Sequence, residues 1–387
     1  MVPPRGKVST NSMSILTIIL LVAGLALLVG GAEILVRGAT RLSLALGISP
    51  LVVGLTVVAY GTSSPEVAVT LQAGFAGDTD LALGNVIGSN IANVLLVLGL
   101  AALVAPLIVR SQLVRFDVPI MIGASVLLLV LALDGRIGRL ESGILAVGAI
   151  IYSAVVLYIG TRRGSRAAAA VDLPNDSVTV QRTGRRTVLW NLGYVVVGLG
   201  LLVLGSDWLV GGAVEIATAL GVSQMIIGLT VVAIGTSLPE IATSMLAAFK
   251  GERDLAVGNV VGSNIFNIFL VLGVAGFIVP VDIPVPSSAL NFDLLVMIAV
   301  AVACLPIFFT GAEIARWEGG VFVGYFIAYT TYLVLRAQEH EVLPAFSQIM
   351  LVFVIPLTVV TLIVLTLHAL HVRRNERQRM ADSGNNS

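Results

Sequence analysis

The chain has 387 residues, 57% of them hydrophobic and only 11% charged, with a mean hydropathy of +1.01. Soluble domains carry about 25% charged residues, so composition excludes a soluble enzyme and predicts an all-α polytopic membrane protein. The zero net charge offers no footprint for nucleic acid, the single cysteine, Cys304, excludes an internal disulfide, and phosphate-binding glycine fingerprints are absent.

Apolar runs of about 20 residues read as spanning helices. Eleven are predicted, at 14–36, 46–76, 80–106, 117–134, 140–160, 188–210, 220–249, 254–280, 292–311, 317–336 and 346–370. Arg5 and Lys7 ahead of the first run resemble the start of a signal peptide. Residues 24–46 align with 198–220, however, so the first span is expected to be retained. The polar, arginine-rich stretch 161–187 is expected to link two five-helix halves, 14–160 and 188–336. The span at 346–370 has no counterpart, and 371–387 is a short tail.

The halves repeat one another at an offset of 174 residues. Residues 54–66 read GLTVVAYGTSSPE and 228–240 read GLTVVAIGTSLPE; 84–93 read GNVIGSNIAN and 258–267 read GNVVGSNIFN. Between 47–106 and 221–280, 34 of 60 pairs are identical. Farther on, Phe116 and Asp117 match Phe292 and Asp293, and Tyr152 matches Tyr329. Five helices per half is odd, so equivalent helices should cross the membrane in opposite directions, which places a site between the halves. The positive-inside rule then assigns 17 of the 22 Lys and Arg residues to the cytoplasm if the N-terminus lies outside. A multi-pass protein of the cell (inner) membrane with a cytoplasmic C-terminus is predicted.

Each half buries one glutamate, Glu66 or Glu240, in an apolar stretch, which marks an ion or substrate pathway. Thr62 and Glu66, like Thr236 and Glu240, are four apart and share a helix face. Between them Pro65 or Pro239 cannot donate to the carbonyl four residues back. The opened turn frees carbonyl oxygens beside a carboxylate, as hard cations require. On the next helix, Asn85, Ser89 and Asn93, like Asn259, Ser263 and Asn267, form a polar stripe. The glycines Gly84, Gly88, Gly258 and Gly262 are expected to allow close backbone approach. These are all oxygen donors with no converging Cys or His, which disfavours soft metals. Two carboxylates neutralise one Ca²⁺. Glu33 and Asp207 are expected at the membrane interface, and Glu215, Asp78 and Asp254 in loops or at helix ends.

The two GTSxPE motifs and the two asparagine motifs resemble those of the cation/calcium exchanger superfamily, specifically its prokaryotic sodium/calcium exchanger-like members. The resemblance spans residues 14–336. It implies two inverted five-helix repeats and a site between helices two, three, seven and eight. Carried over by motif, Glu66 and Glu240 would bind Ca²⁺. Thr62, Thr236, Ser63, Ser237, Ser89, Ser263, Asn93 and Asn267 would complete the Ca²⁺ and Na⁺ sites. It also implies that the first and sixth helices slide across the core to alternate access. The expected activity is Ca²⁺ for Na⁺ antiport, with no cofactor beyond the transported ions. H⁺/Ca²⁺ or K⁺-dependent antiport and a passive cation channel are the alternatives. Asn267 stands where some members carry Asp, and the last span lies outside the ten-helix pattern. The sequence says nothing of oligomeric state.

Overall fold

The computed structural model describes residues 15–169, 185–222, 224–309, 313–364 and 367. Most of the expected linker and the tail lie outside them. The fold is nearly all helical. In chain order the long helices are α1 (Ile15–Leu46), α2 (Pro50–Ala76), α3 (Thr79–Val104), α4 (Leu113–Leu131) and α5 (Arg139–Ala169). They continue as α6 (Arg185–Ala219), α7 (224–249), α8 (Arg253–Ile278), α9 (Ala289–Phe309), α10 (Arg316–Ala337) and α11 (Leu343–Val364). Among the described residues ten of these are long and apolar enough to span a membrane. The eleventh path is α7, whose pieces Thr230–Thr236 and Leu238–Phe249 meet at 57°.

Three spans, α1, α5 and α6, are longer than expected. α1 runs to Leu46 rather than 36, and α6 occupies Arg185–Ala219 rather than 188–210. Arg37 and Arg41 do not end α1, because long basic side chains run along a helix and place their charge outward. At 1.5 Å per residue such helices reach about 50 Å, well beyond a hydrocarbon core of about 30 Å, so they cross it obliquely. The helical flanks also shorten the expected 161–187 linker, since α5 continues to Ala169. Glu215, expected in a loop or at a helix end, sits near the end of α6 and accepts a hydrogen bond from Thr17 of α1 (2.6 Å).

Helix ends follow the repeat. Gly77 closes α2 at φ 79° and its counterpart Gly251 follows α7 at φ 81°, a left-handed conformation that glycine adopts without a Cβ clash.

The direction of the halves is read from α1 against α6. A Cβ at Gly24 would lie 2.9 Å from Gly205 O, and one at Gly31 2.9 Å from Gly198 O. The partner number falls as the α1 number rises, so the helices are antiparallel. Gly24 corresponds to Gly198 and Gly31 to Gly205, so the two contacts exchange under a two-fold axis. Short strands repeat the relation: β1 (Leu107–Ile108) pairs with β4 (Glu313–Ile314), and β2 (Arg136–Ile137) with β3 (Ile283–Pro284), both antiparallel. So do two hydrogen bonds, Tyr152 Oη to Asp117 (3.2 Å) and Tyr329 Oη to Asp293 (3.0 Å).

α11 lies outside this symmetry. It meets α10 where Tyr325 Oη and Thr358 Oγ1 share a hydrogen bond of 2.5 Å, Leu362 packs against the core, and most of its other large apolar side chains are exposed.

Candidate ion-binding site

α2 and α7 are each interrupted at the serine that follows the motif threonine. Helix ends at Thr62, Ser63 turns to φ −80° and ψ 7°, and helix resumes at Ser64; Ser237 does the same at φ −89° and ψ 5°. The proline falls in the first turn of the resumed helix, where its missing N–H costs nothing. That turn also carries Glu66 or Glu240, so each carboxylate sits where the helix dipole is positive. The break thus places the charge and partly stabilises it.

Ahead of each break the chain winds as a π-turn, Gly54–Val58 and Gly228–Val232, and the asparagine helices do so from Asn93 and Asn267 onward. Wide turns of this kind shift hydrogen bonds off the i−4 carbonyl and concentrate at functional sites.

The motifs of the two halves interlock. Ser63 Oγ donates to Glu240 Oε1 (3.3 Å), and Ser263 Oγ reaches the same oxygen at 3.5 Å. Thr62 Oγ1 donates to Asn259 Oδ1 (3.0 Å). Glu66, Glu240, Ser63, Ser237, Asn93, Asn267, Ser89 and Ser263 are all buried. Within this cluster Glu66 Oε1 and Oε2, Glu240 Oε2, Ser89 Oγ, Ser237 Oγ and the amide oxygen and nitrogen of Asn93 and of Asn267 have no hydrogen-bond partner among the described residues. Buried polar atoms are rarely left so. Two carboxylates with converging hydroxyl and amide oxygens are a hard-cation donor set.

Some expected donors are otherwise engaged. The Thr62 hydroxyl is used on Asn259, and Thr236, only half buried, turns its hydroxyl to Ala233 O (3.4 Å). Asn85 is a tie rather than a ligand: its amide donates to Glu66 O (3.2 Å) and Thr70 Oγ1 (2.9 Å), and Asn259 matches it by donating to Ser244 (3.1 Å).

The glycine faces behave differently in the two halves. On α8, a Cβ at Gly258 would lie 2.8 Å from Leu51 O, and one at Gly262 2.7 Å from Ala59 Cβ, so α8 packs tightly on α2. On α3, Gly84 and Gly88 meet nothing within 4 Å among the described residues. Close approach was expected of both. Ala59 and Thr62 are accordingly buried, while their counterparts Ala233 and Thr236 are exposed and half buried. Among the described residues, one seam is in backbone contact and its equivalent is not.

Sequence reasoning passed over three buried groups. Thr243, one turn beyond Glu240, has an unpartnered hydroxyl. Asn90 and Asn264, inside the repeated motif, line a cavity of about 10 Å³ with Met121, Ser125 and Met297. Their signal was their identity in both motifs, on a face away from the Ser89 and Asn93 stripe. Of the outlying charges, Glu33 pairs with Arg37 and with Lys250 at the end of α7, Asp254 pairs with Arg110, and Asp78 caps α3.

Paired broken helices presenting carboxylates at the axis between antiparallel halves define a multi-pass membrane ion transporter of the inverted-repeat kind. Residues 16–158 and 190–335 match the family described as sodium/calcium exchanger protein, and the chain belongs to that family. CaxA of Alkalimonas amylolytica, whose name describes an antiporter, is 39% identical over 320 residues, covering 82% of this chain and 98% of CaxA. The sodium/calcium exchanger MaX1 of Methanosarcina acetivorans is 33% identical over 346 residues, covering 81% and 97%. Among solved structures, the sodium-calcium exchanger NCX_Mj superposes with a TM-score of 0.69 at 31% identity, over 82% of this chain and 98% of NCX_Mj. The protein is a cation/Ca²⁺ antiporter, not an enzyme, and its ions are substrates rather than cofactors.

Proposed function

We propose that the protein exchanges Ca²⁺ for Na⁺ by alternating access. The observation that carries this is the unequal pair of glycine seams. The α2–α8 seam is in backbone contact at Gly258 and Gly262, while Ala233 and Thr236 on the first half of α7 are exposed and half buried, so we read the α3–α7 side as the route to Glu66 and Glu240. A passive channel needs both routes open together; an exchanger needs them open in turn.

Ca²⁺ would be held by Glu66 and Glu240, with Ser89, Ser237, Asn93, Asn267 and the carbonyls of Thr62 and Thr236 as neutral donors. Ser63 and Ser263 orient Glu240 and complete the Na⁺ positions. With two charges in the site, one Ca²⁺ or two Na⁺ neutralise it, and a third Na⁺ would need the neutral oxygens of Asn93 and Asn267. The positive-inside count supports a cytoplasmic linker and C-terminus. On that topology the first half of α7 lies on the outer side, so the open seam faces outward.

Reconstituted vesicles decide the coupling. Uptake of ⁴⁵Ca²⁺ should follow an outward Na⁺ gradient and require Na⁺ on the opposite side. Flux that ignores Na⁺ and tracks an imposed pH gradient would replace Na⁺ with H⁺. A requirement for K⁺ would add a second coupling ion, and flux without any counter-ion would make the protein a channel.

A further inference from the structure

The ends of α1 and α7 flank an open cleft of about 350 Å³ lined by Val36, Arg37, Thr40, Arg41, Lys250 and Glu252. It is separate from the carboxylate site. Arg37 and Arg41 are four apart on one face of α1, and Lys250 caps the last turn of α7 from across the cleft. The charges close on a definite number. Arg37, Arg41 and Lys250 bring three positive charges. Glu33, paired with both Arg37 and Lys250, and Glu252 bring two negative ones. The remainder is one positive charge. Arg41 has no carboxylate partner among the described residues and is exposed, so its guanidinium is available. The buried Thr40 Oγ1 also lacks a partner.

A guanidinium fork, an ammonium and a hydroxyl together suit a phosphate group. One residual positive charge suits a monoanionic phosphodiester better than a phosphate dianion. The surroundings suit a lipid. Toward the middle of α1, Val29 lies two turns from Arg37 and is 54% exposed; Phe249, beside Lys250, is 76% exposed. Basic pockets between spanning helices at this depth take up lipid headgroups. Glu252 would repel a second phosphate but can accept a hydrogen bond from a headgroup hydroxyl.

We propose that this cleft binds the phosphodiester of an anionic, hydroxyl-bearing lipid headgroup such as phosphatidylglycerol, bridging α1 and the end of α7. The full chain is purified in detergent, and its melting temperature is followed while phosphatidylglycerol, phosphatidylcholine or inorganic phosphate is added. Phosphatidylglycerol should raise the midpoint saturably, and phosphatidylcholine should not. Arg41→Gln removes one charge-assisted hydrogen bond and should raise the half-saturating phosphatidylglycerol about tenfold. Arg41→Lys should recover part of that loss, and Arg136→Gln, in a charged cluster on another loop, should leave it unchanged. Equal protection by phosphatidylcholine would overturn the proposal, as would an Arg41→Gln titration matching wild type. Protection by inorganic phosphate alone would make this a free-anion site and overturn the lipid assignment.

Discussion

The Ser63 hydroxyl donates to Glu240 Oε1 across 3.3 Å, although the two residues are 177 positions apart and belong to opposite halves of the chain. Ser63 lies one turn before Glu66, so a single α2 turn supplies its own carboxylate and orients the other half's. Neither half can assemble the site alone.

Glu66→Gln and Glu240→Gln each remove one of two charges from a buried divalent-ion site while keeping side-chain size. Losing one partner of a buried charge pair costs about 2–5 kcal/mol. Apparent Ca²⁺ affinity in vesicle flux should therefore drop about 100-fold or more, with melting temperatures at or above wild type because a neutral amide is cheaper to bury than a carboxylate. Near-normal flux from either variant would separate the two halves functionally.

Ser63→Ala leaves Glu240 with Ser263 as its remaining hydroxyl donor. The expected loss is about tenfold in Ca²⁺ affinity, equivalent to one hydrogen bond to a charged group. Ser64→Ala, whose exposed hydroxyl turns to Tyr60 O, should have no effect and serves as the control.

Gly262→Ala and Gly88→Ala are equivalent in sequence and should differ in outcome. The first drives a Cβ to 2.7 Å from Ala59 Cβ; the second meets nothing within 4 Å among the described residues. Overpacking costs about 1–3 kcal/mol, so only Gly262→Ala should lower the melting temperature of this state. Both should slow exchange, because Gly88→Ala obstructs closure of its own seam. Equal melting temperatures would mean that the two seams are alike in solution.

Asn267→Asp adds a third acidic group beside Glu66 and Glu240. It should strengthen Na⁺ binding and introduce a pH dependence, because the new acid helps only after losing its proton, ordinarily near pH 4 and higher where charges crowd. Titration of Na⁺-stimulated Ca²⁺ flux from pH 5 to 8 should show a rising limb in the variant that wild type lacks.

Much of this was legible from residues. The fixed offset exposed the repeat, and the pairing of Asp117 with Tyr152 and of Asp293 with Tyr329 turned matched letters into matched hydrogen bonds. The motif prolines marked the breaks, because a missing N–H acts locally. The lengths of α1 and α6 were misread, since Arg37 and Arg41 look like helix ends in a string but lie along a continuing helix. The exchange of hydroxyls between halves is tertiary and leaves no local trace. The unequal seams could not be read at all: Gly84 and Gly88 carry the same letters as Gly258 and Gly262, and which pair is in contact is a property of a state.

The two small ladders fix where the halves are strapped together. β1·β4 joins the α3–α4 loop to the α9–α10 loop, and β2·β3 joins the α4–α5 loop to the α8–α9 loop. Every strap therefore anchors α3, α4, α5, α8, α9 or α10. None ties α1, α2, α6 or α7, and α1 and α6 are locked to each other through bare glycine backbone. The ladders thus tie six helices of the two halves together and leave the α1–α6 pair outside them. The alternating access proposed above therefore requires no ladder to break.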